Sequence, residues 1–457
     1  MSLPPLLLII DHAPSRAADV ARMARYARER HGVGSLLVRA CPEAPAPSPC
    51  DAVIGVDPRA PDFVDRALAA LEPYRARLRG GLVFSDPAVH AGSMLLERLG
   101  LRTDPADPAL RAVDRYAYRM AERAHGQLLS FQKVMVPRCA RIGSATELQA
   151  FSDSHADGFV VKPRHAGGYR GAVTVSPGDN LQAMFHAVSP HFGDGMVGEQ
   201  RIPYRREYSF DGVGATAFLA EKLMAPGRHA VEIARVLPAR LSALERHTLQ
   251  RTGLLCNLLT GQRDGPFHHG IRLGDDGQGS AVVAAHRRPA GMKTWSLAEA
   301  VYGVDLYARW VDSALGVPVA LAVPEPSRQA ATVLLGVARD GVFSPAGLDG
   351  WRLLEQALAL TAAAHGIAPG ALRAGEFGWR VGESRFLHGT PRSAADFAAQ
   401  ATITLDDLDA DLRPVIATLR ERWTAALSVH PTLEAAQLPD PADPAMPAVQ
   451  ALHPAAH

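Results

Sequence analysis

The segment FVVKPRHAGGYRGAVTV, residues 159 to 175, ends an apolar run on Lys162 and follows it with Gly167, Gly168 and Arg170. A lysine ammonium binds phosphate as a compact point charge, and glycines let backbone amides approach an anion closely. The lysine is conspicuous because the chain holds only four, Lys133, Lys162, Lys222 and Lys293, its other basic charge being arginine. Downstream, MVGEQRIPYRREYSFDG carries Glu199, Gln200 and Ile202, then Glu207 across a proline turn. Cation, glycine turn and acid-bearing strand together suit the grip of a nucleoside triphosphate. The plain alternative is a glycine hairpin with solvated arginines, and acids paired with the nearby Arg201, Arg205 or Arg206.

A second group of candidates lies in GPFHHGIRL and VVAAHRRPAG. Alternation along a strand puts His268, Gly270 and Arg272 on one face, and groups Ala284, His286 and Arg288 likewise. Such a basic wall suits a phosphate or a substrate carboxylate. A softer metal on His268, His269 and His286 lacks the cysteine or acid that would complete a tetrahedral set. No metal ligands are assigned, and His269 reads as a solvated or hydrogen-bonded strand histidine. Arg288, at a strand end beside Pro289, could bridge sheet carbonyls. Lys222 and Glu232 could form a cross-strand ion pair. The Walker motif G-x-x-x-x-G-K-[ST], the G-x-S-x-G elbow and H-E-x-x-H are all absent. GVGATA fits a dinucleotide fingerprint in letters only, because it sits in a hairpin.

The elements that must position these residues follow from periodicity. LLLIID, SLLVRA, DAVIGV and GGLVFSD are short apolar strands, joined by the helical AADVARMARYARERHG and VHAGSMLLERLGL, which predicts a parallel α/β unit. A helix through DRYAYRMAERAHG carries Arg115 and Arg119. From Met196 to about Gly291 the pattern predicts a central antiparallel sheet, with a helix at SALERHTLQRTGLLCNLL. MKTWSLAEAVYGVDLYARWVDSALG is one long amphipathic stretch, ATVLLGVARDGVF a hairpin, and DLDADLRPVIATLRERWTAAL a helix. The predicted domains are 1–110 (α/β), 111–198 (small α+β lid), 199–435 (central antiparallel sheet and C-terminal subdomain) and 436–457 (a mobile Pro/Ala tail).

Lys plus Arg at 48 against Asp plus Glu at 47 gives a net charge of +1, without a global field for nucleic acid or membrane. Four cysteines without CxxC spacing, and an N-terminal apolar run lacking a basic flank and cleavage site, predict a cytoplasmic protein with free thiols.

The succession of the Lys162 strand, the glycine loop, VGEQRI, EYSFDG, AEKLM, VEIARVLPA, GPFHHGIRL and RRPAG resembles the ATP-grasp superfamily, particularly its carboxylate–amine and amino acid ligases, over roughly residues 5 to 430. The resemblance implies an N-terminal α/β domain, a mobile lid, and ATP sandwiched between two sheets. It further implies that Arg115 stands for a first phosphate-binding lysine, that Lys162 meets phosphate, and that Glu199 through Ile202, Gln200 included, line the adenine edge. Glu207 would take the ribose hydroxyls. Arg288, with Lys162, would serve catalysis. Lys222, Glu232, His268, His286 and Arg288 would lie on the substrate side, with a small carboxylate and an amine as substrates and a homodimer as a possible assembly. Where this superfamily carries metal-binding carboxylates and an asparagine, the chain has Gly270, Ala284 and His286, which leaves Mg²⁺ open. Two readings therefore stand: a ligase acting through an acyl phosphate, and a repurposed scaffold that binds a nucleotide or acidic metabolite without phosphoryl transfer or with another reaction.

Overall fold

The computed structural model describes residues 3–41, 48–165, 172–189, 195–227, 229–320 and 322–428. Gly167, Gly168, Arg170 and the Pro/Ala tail lie outside them. In chain order the strands are β1 (Leu6–Ile10), β2 (Gly34–Arg39), β3 (Ala52–Gly55), β4 (Leu78–Val83), β5 (Val134–Met135), β6 (Cys139–Ile142), β7 (Phe159–Pro163), β8 (Val173–Val175), β9 (Met196–Gln200), β10 (Arg206–Val213), β11 (Thr216–Met224), β12 (Glu232–Leu237), β13 (Pro266–Leu273), β14 (Ser280–His286), β15 (Gln329–Leu335), β16 (Gly341–Phe343), β17 (Leu372–Trp379), β18 (Arg385–Leu387) and β19 (Ala399–Leu405). They are distributed over two compact units, one of residues 1–12, 16–222 and 237–326, the other of 13–15, 223–236 and 327–457.

In the first unit, β3-β2-β1-β4 form a parallel sheet. Every residue of β1 and β2 is buried, as a sheet covered on both faces requires. The helix Ala17–His31 turns Val20, Met23, Ala24 and Ala27 inward and stops at Gly32, whose φ of 64° is left-handed.

A small sheet of order β6-β9-β7-β8 follows, packed on Phe151, Phe159, Val161 and Met196. β9 thus belongs with the Lys162 strand and not with the central sheet, because Met196 shares the apolar cluster of Phe159 and Val161. A side chain at Gly198 would meet the Phe151 ring at 2.9 Å, so glycine is what lets that ring lie on the strand.

The central sheet of this unit runs β11-β10-β13-β14, antiparallel throughout, with β5 parallel at its edge. Alternation sorts its faces. Tyr208, Phe210, Phe267 and Ile271 pack with Leu249 of the helix Ala243–Thr260. Glu207, Ser209, Asp211, His268, Gly270 and Arg272 fall on the opposite face by the same period. The amphipathic stretch after Met292 is two helices, Thr294–Tyr302 and Leu306–Ala314, broken at Gly303 (φ 67°), with Asp305 capping the second.

The second unit orders its strands β17-β19-β15-β12, with β16-β18 as a separate pair, around Leu354, Ile403, Leu419 and Trp423. The expected hairpin at ATVLLGVARDGVF does not form: β15 pairs with β19, and β16 with β18. All seven residues of β15 are buried, and its apolar run takes a central position that a two-stranded hairpin cannot cover. No helix of the described residues is long and apolar enough to cross a membrane.

Candidate nucleotide site

Lys162 lies on β7 and reaches diagonally to Glu199 of β9, its ammonium 2.7 Å from Glu199 Oε2 and 3.4 Å from the carbonyl of Val283 on β14. Glu199 also accepts from Arg119 at 3.0 Å, and the same guanidinium donates to Glu122 at 2.6 Å and to the Val282 carbonyl at 2.8 Å. Arg119 and Glu122 come from the helix Arg115–Ala124, whose N-terminus is capped by the Asp114 carboxylate. All four side chains are buried.

Burial pulls Lys162 down to about 8, against the pull of Glu199 and with the help of Arg119 and Arg115. Burial alone would raise Glu199, but Arg119 and Lys162 prevail and hold it at about 2. Glu122 goes the other way, raised by burial in spite of Arg119. The cluster is thus a carboxylate that stays charged and an ammonium that titrates within reach of neutral pH. Arg115 also donates to the Pro163 carbonyl, and its charge is felt by both Lys162 and His286, so phosphate-side and sheet-side candidates share one electrostatic field.

On the polar face of the central sheet, Lys222 lies opposite Glu207 in register and its ammonium is 3.1 Å from Glu207 Oε1; Arg272 donates to Oε2 at 3.1 Å. Asp211, fully buried, holds His268 Nδ1 at 2.6 Å and accepts from Ser209 at 2.5 Å. His268 and His286 are register partners whose rings stack 5.9 Å apart and nearly parallel. His286 Nδ1 lies 3.4 Å from Asp86, which Arg288 Nε meets at 2.5 Å. Burial would raise Asp86, yet Arg288 and His286 keep it well below the usual carboxylate range. His286 itself is lowered by burial. Gly270 and Ala284 face each other across β13 and β14.

Lys162, Glu199, Arg115, Lys222, Glu207, His268, His286 and Arg288 all lie in the first unit. Lys162 reaches Val283, and a Cβ built on Gly270 would lie 3.6 Å from Val283, 3.1 Å from Lys222 Nζ and 3.8 Å from Glu207, which links the phosphate-side and sheet-side groups. Gln200 and Ile202 follow Glu199 at the end of β9, where Gln200 bonds the backbone of Arg138 in both directions. Glu232 belongs to the second unit, where Arg235 grips it at 2.8 Å. Lys222 and Glu232 therefore each have another partner in place of the cross-strand pair considered from sequence. Glu199 and Glu207 take their cations from distant segments, while Arg206 turns to Glu245 at 2.5 Å. Arg288 takes a carboxylate, Asp86, as well as the Pro289 carbonyl. His269 sits on the apolar face against Asn257 at 2.7 Å, held down at about 3 by burial.

Sequence reasoning passed over Asp86, Arg119 as a site residue, Glu122 and Asp211. Asp211 alone left a local signal, being two and four residues from Ser209 and Glu207 on one strand. Among the described residues no group of three or more His, Cys, Asp or Glu side chains is arranged to hold a metal ion.

No family-level sequence profile and no curated protein matches the chain. Solved structures do. An L-amino acid ligase from Bacillus licheniformis superposes with a TM-score of 0.69 at 17% identity, covering 92% of this chain and 98% of that one. Carboxyaminoimidazole ribonucleotide synthase from Aspergillus clavatus, solved in complex with ATP, gives 0.63 at 11% identity over 92% and 99% of the two chains. Biotin carboxylase from Campylobacter jejuni gives 0.58 at 13% identity over 93% and 98%. These are ATP-grasp proteins, and the chain has the ATP-grasp fold.

Proposed function

We propose that the protein is an ATP-dependent ligase that joins a small carboxylate to an amine through an acyl phosphate. The observation that carries this reading is Lys162: a buried ammonium, held by Glu199 and aimed at the β14 backbone, in a fold whose solved examples include an amino acid ligase and an ATP complex. In this reading Lys162, Arg115 and the Gly167, Gly168 and Arg170 loop take the phosphates. Gln200 and Ile202 flank the adenine; Glu207, both oxygens of its buried carboxylate held by Lys222 and Arg272, has no part in this assignment. A carboxylate oxygen of the substrate attacks the γ-phosphorus as the bond to the bridging oxygen breaks, and ADP leaves. The amine nitrogen then attacks the acyl carbon, phosphate leaves with the C–O bond electrons, and the nitrogen sheds a proton. Fixed cations, Lys162 and Arg288, stabilise charge spreading over the transferred phosphoryl group. His268 and His286 complete the substrate side. Glu232, committed to Arg235 in the other unit, has no part in this assignment.

A second reading, binding of a nucleotide or acidic metabolite without phosphoryl transfer, is favoured by one observation, the facing Gly270 and Ala284. Incubation with ATP and a matrix of amino acids and other small carboxylates and amines, with and without MgCl₂, decides between them. Release of ADP and phosphate dependent on both an acid and an amine supports the ligase. Nucleotide binding without release for any pair contradicts it and supports the second reading.

A further inference from the structure

The polar face of the central sheet is built from acids that already hold cations of the chain. Glu207 is gripped by Lys222 and Arg272, Asp211 by His268, and Asp86 by Arg288 with His286 alongside. Mg²⁺ demands near-octahedral oxygen ligands at about 2.0–2.1 Å. Gly270 and Ala284, opposite each other at the centre of this face, supply none. A magnesium ion on Glu207 would have to displace both Lys222 and Arg272 from a carboxylate with no exposed surface. The residues present do not fit the divalent cation that the fold's usual chemistry implies.

What occupies the space is an ammonium. Lys222 Nζ lies 3.1 Å from the position a Cβ at Gly270 would take, so the lysine head packs against the space that a side chain at 270 would enter. Glu207 fixes that ammonium at 3.1 Å, and the lysine side chain is only 6% exposed. We propose that Lys222, held over Gly270, stands where a divalent cation would bridge the phosphates, so that this chain binds a nucleoside polyphosphate without magnesium. The inference rests on the nucleotide reading above and fixes how that site neutralises its ligand. A lysine head is a compact, strongly hydrated point charge with three donors, which makes it a nearer stand-in for a metal cation than arginine's planar fork.

The test is calorimetric titration of ADP into the full-length protein in excess EDTA and again in excess MgCl₂. The expected result is binding in EDTA, with the two dissociation constants within about threefold of each other. Affinity that is tenfold or more tighter with magnesium, or present only with it, overturns the inference and leaves the nucleotide reading intact. No binding in either buffer overturns the nucleotide reading and this inference together. Lys222→Met, with its fold checked by circular dichroism, is expected to lose about tenfold or more of the EDTA affinity. A folded variant that keeps wild-type affinity in EDTA contradicts the role of the lysine. If the variant does not fold, the comparison of the two buffers on the wild type still decides.

Discussion

Lys162 and Glu199 meet diagonally across neighbouring strands of the small sheet, two residues out of register, ammonium to carboxylate at 2.7 Å, and the contact sets how each of them responds to pH. Glu199 stays ionised down to about 2, so the pair is limited by the lysine, which burial and two arginines bring to about 8.

Nucleotide affinity is therefore expected to fall as pH rises through about 8. Below that value the lysine keeps its proton and its charge; above it the proton leaves, while Glu199 and the arginines do not change state. The affinity for ADP should drop by about tenfold between pH 7.5 and 9.5, following the loss of one proton. Calorimetry across that range checks it, and a flat profile would separate Lys162 from the ligand.

Arg119→Met should cost the fold about 3–5 kcal/mol, because it leaves Glu122 and Glu199 buried without their shared guanidinium. The sign with pH is fixed as well. Glu199, lowered to about 2 from an ordinary 4.5, contributes stability that is complete above about 4.5 and lost as pH falls toward 2. Without Arg119 its carboxylate moves up, and acid unfolding should begin at a higher pH. Urea denaturation at pH 7 and an acid titration followed by circular dichroism measure both; a loss below about 1 kcal/mol would show the cluster to be dispensable.

Gly253→Ala should destabilise despite its place in a helix. Alanine gains about 1 kcal/mol of helix propensity over glycine. Its Cβ would lie 2.2 Å from Phe210, whose ring stacks on Phe267 at 5.2 Å and is fully buried, and overpacking of that kind costs about 1–3 kcal/mol. The melting temperature should fall, and a rise would mean that the Phe210 stack can yield.

Much of this architecture was legible in the sequence. The short apolar runs in β1 and β2, LLLII and LLV, announced a parallel sheet. Strand alternation placed His268, Gly270 and Arg272 on one face, and the lysine-poor composition drew attention to Lys162. The partners of these residues were hidden, because Arg119 and Glu199 are 80 residues apart, Asp86 and Arg288 are 202 apart, and Asp211 and His268 are 57 apart. Local reasoning sees only neighbours such as Arg201 and Arg205. The same blindness made a hairpin of β15 and β16, whose partners, β19 and β18, lie far along the chain. It also left the helix Gly350–Ala364 and strands β17 and β19 unassigned.

The triple change Gly270→Glu, Ala284→Glu, His286→Asn puts oxygen ligands back on β13 and β14. The Cβ at 270 comes tighter than ordinary contact with the flexible end of Lys222 alone, at 3.1 Å, while Val283 at 3.6 Å and Glu207 at 3.8 Å lie at van der Waals distance, so the backbone of the sheet should tolerate it. Magnesium-dependent nucleotide affinity is expected to appear, and affinity should fall in EDTA as the new carboxylates draw Lys222 away from the phosphates. Calorimetry in the two buffers reads both, and a variant indifferent to magnesium would count against the placement of the phosphates on this face.

The central claim is that Lys162 grips the phosphates of a bound nucleotide. Titrating ATP at pH 7.5 into the wild type and Lys162→Met tests it most directly. A charge-assisted hydrogen bond of about 1.5–3 kcal/mol predicts a loss of roughly 10- to 100-fold in affinity with the fold retained. Equal affinities in the two folded proteins, or no binding to the wild type, would contradict it.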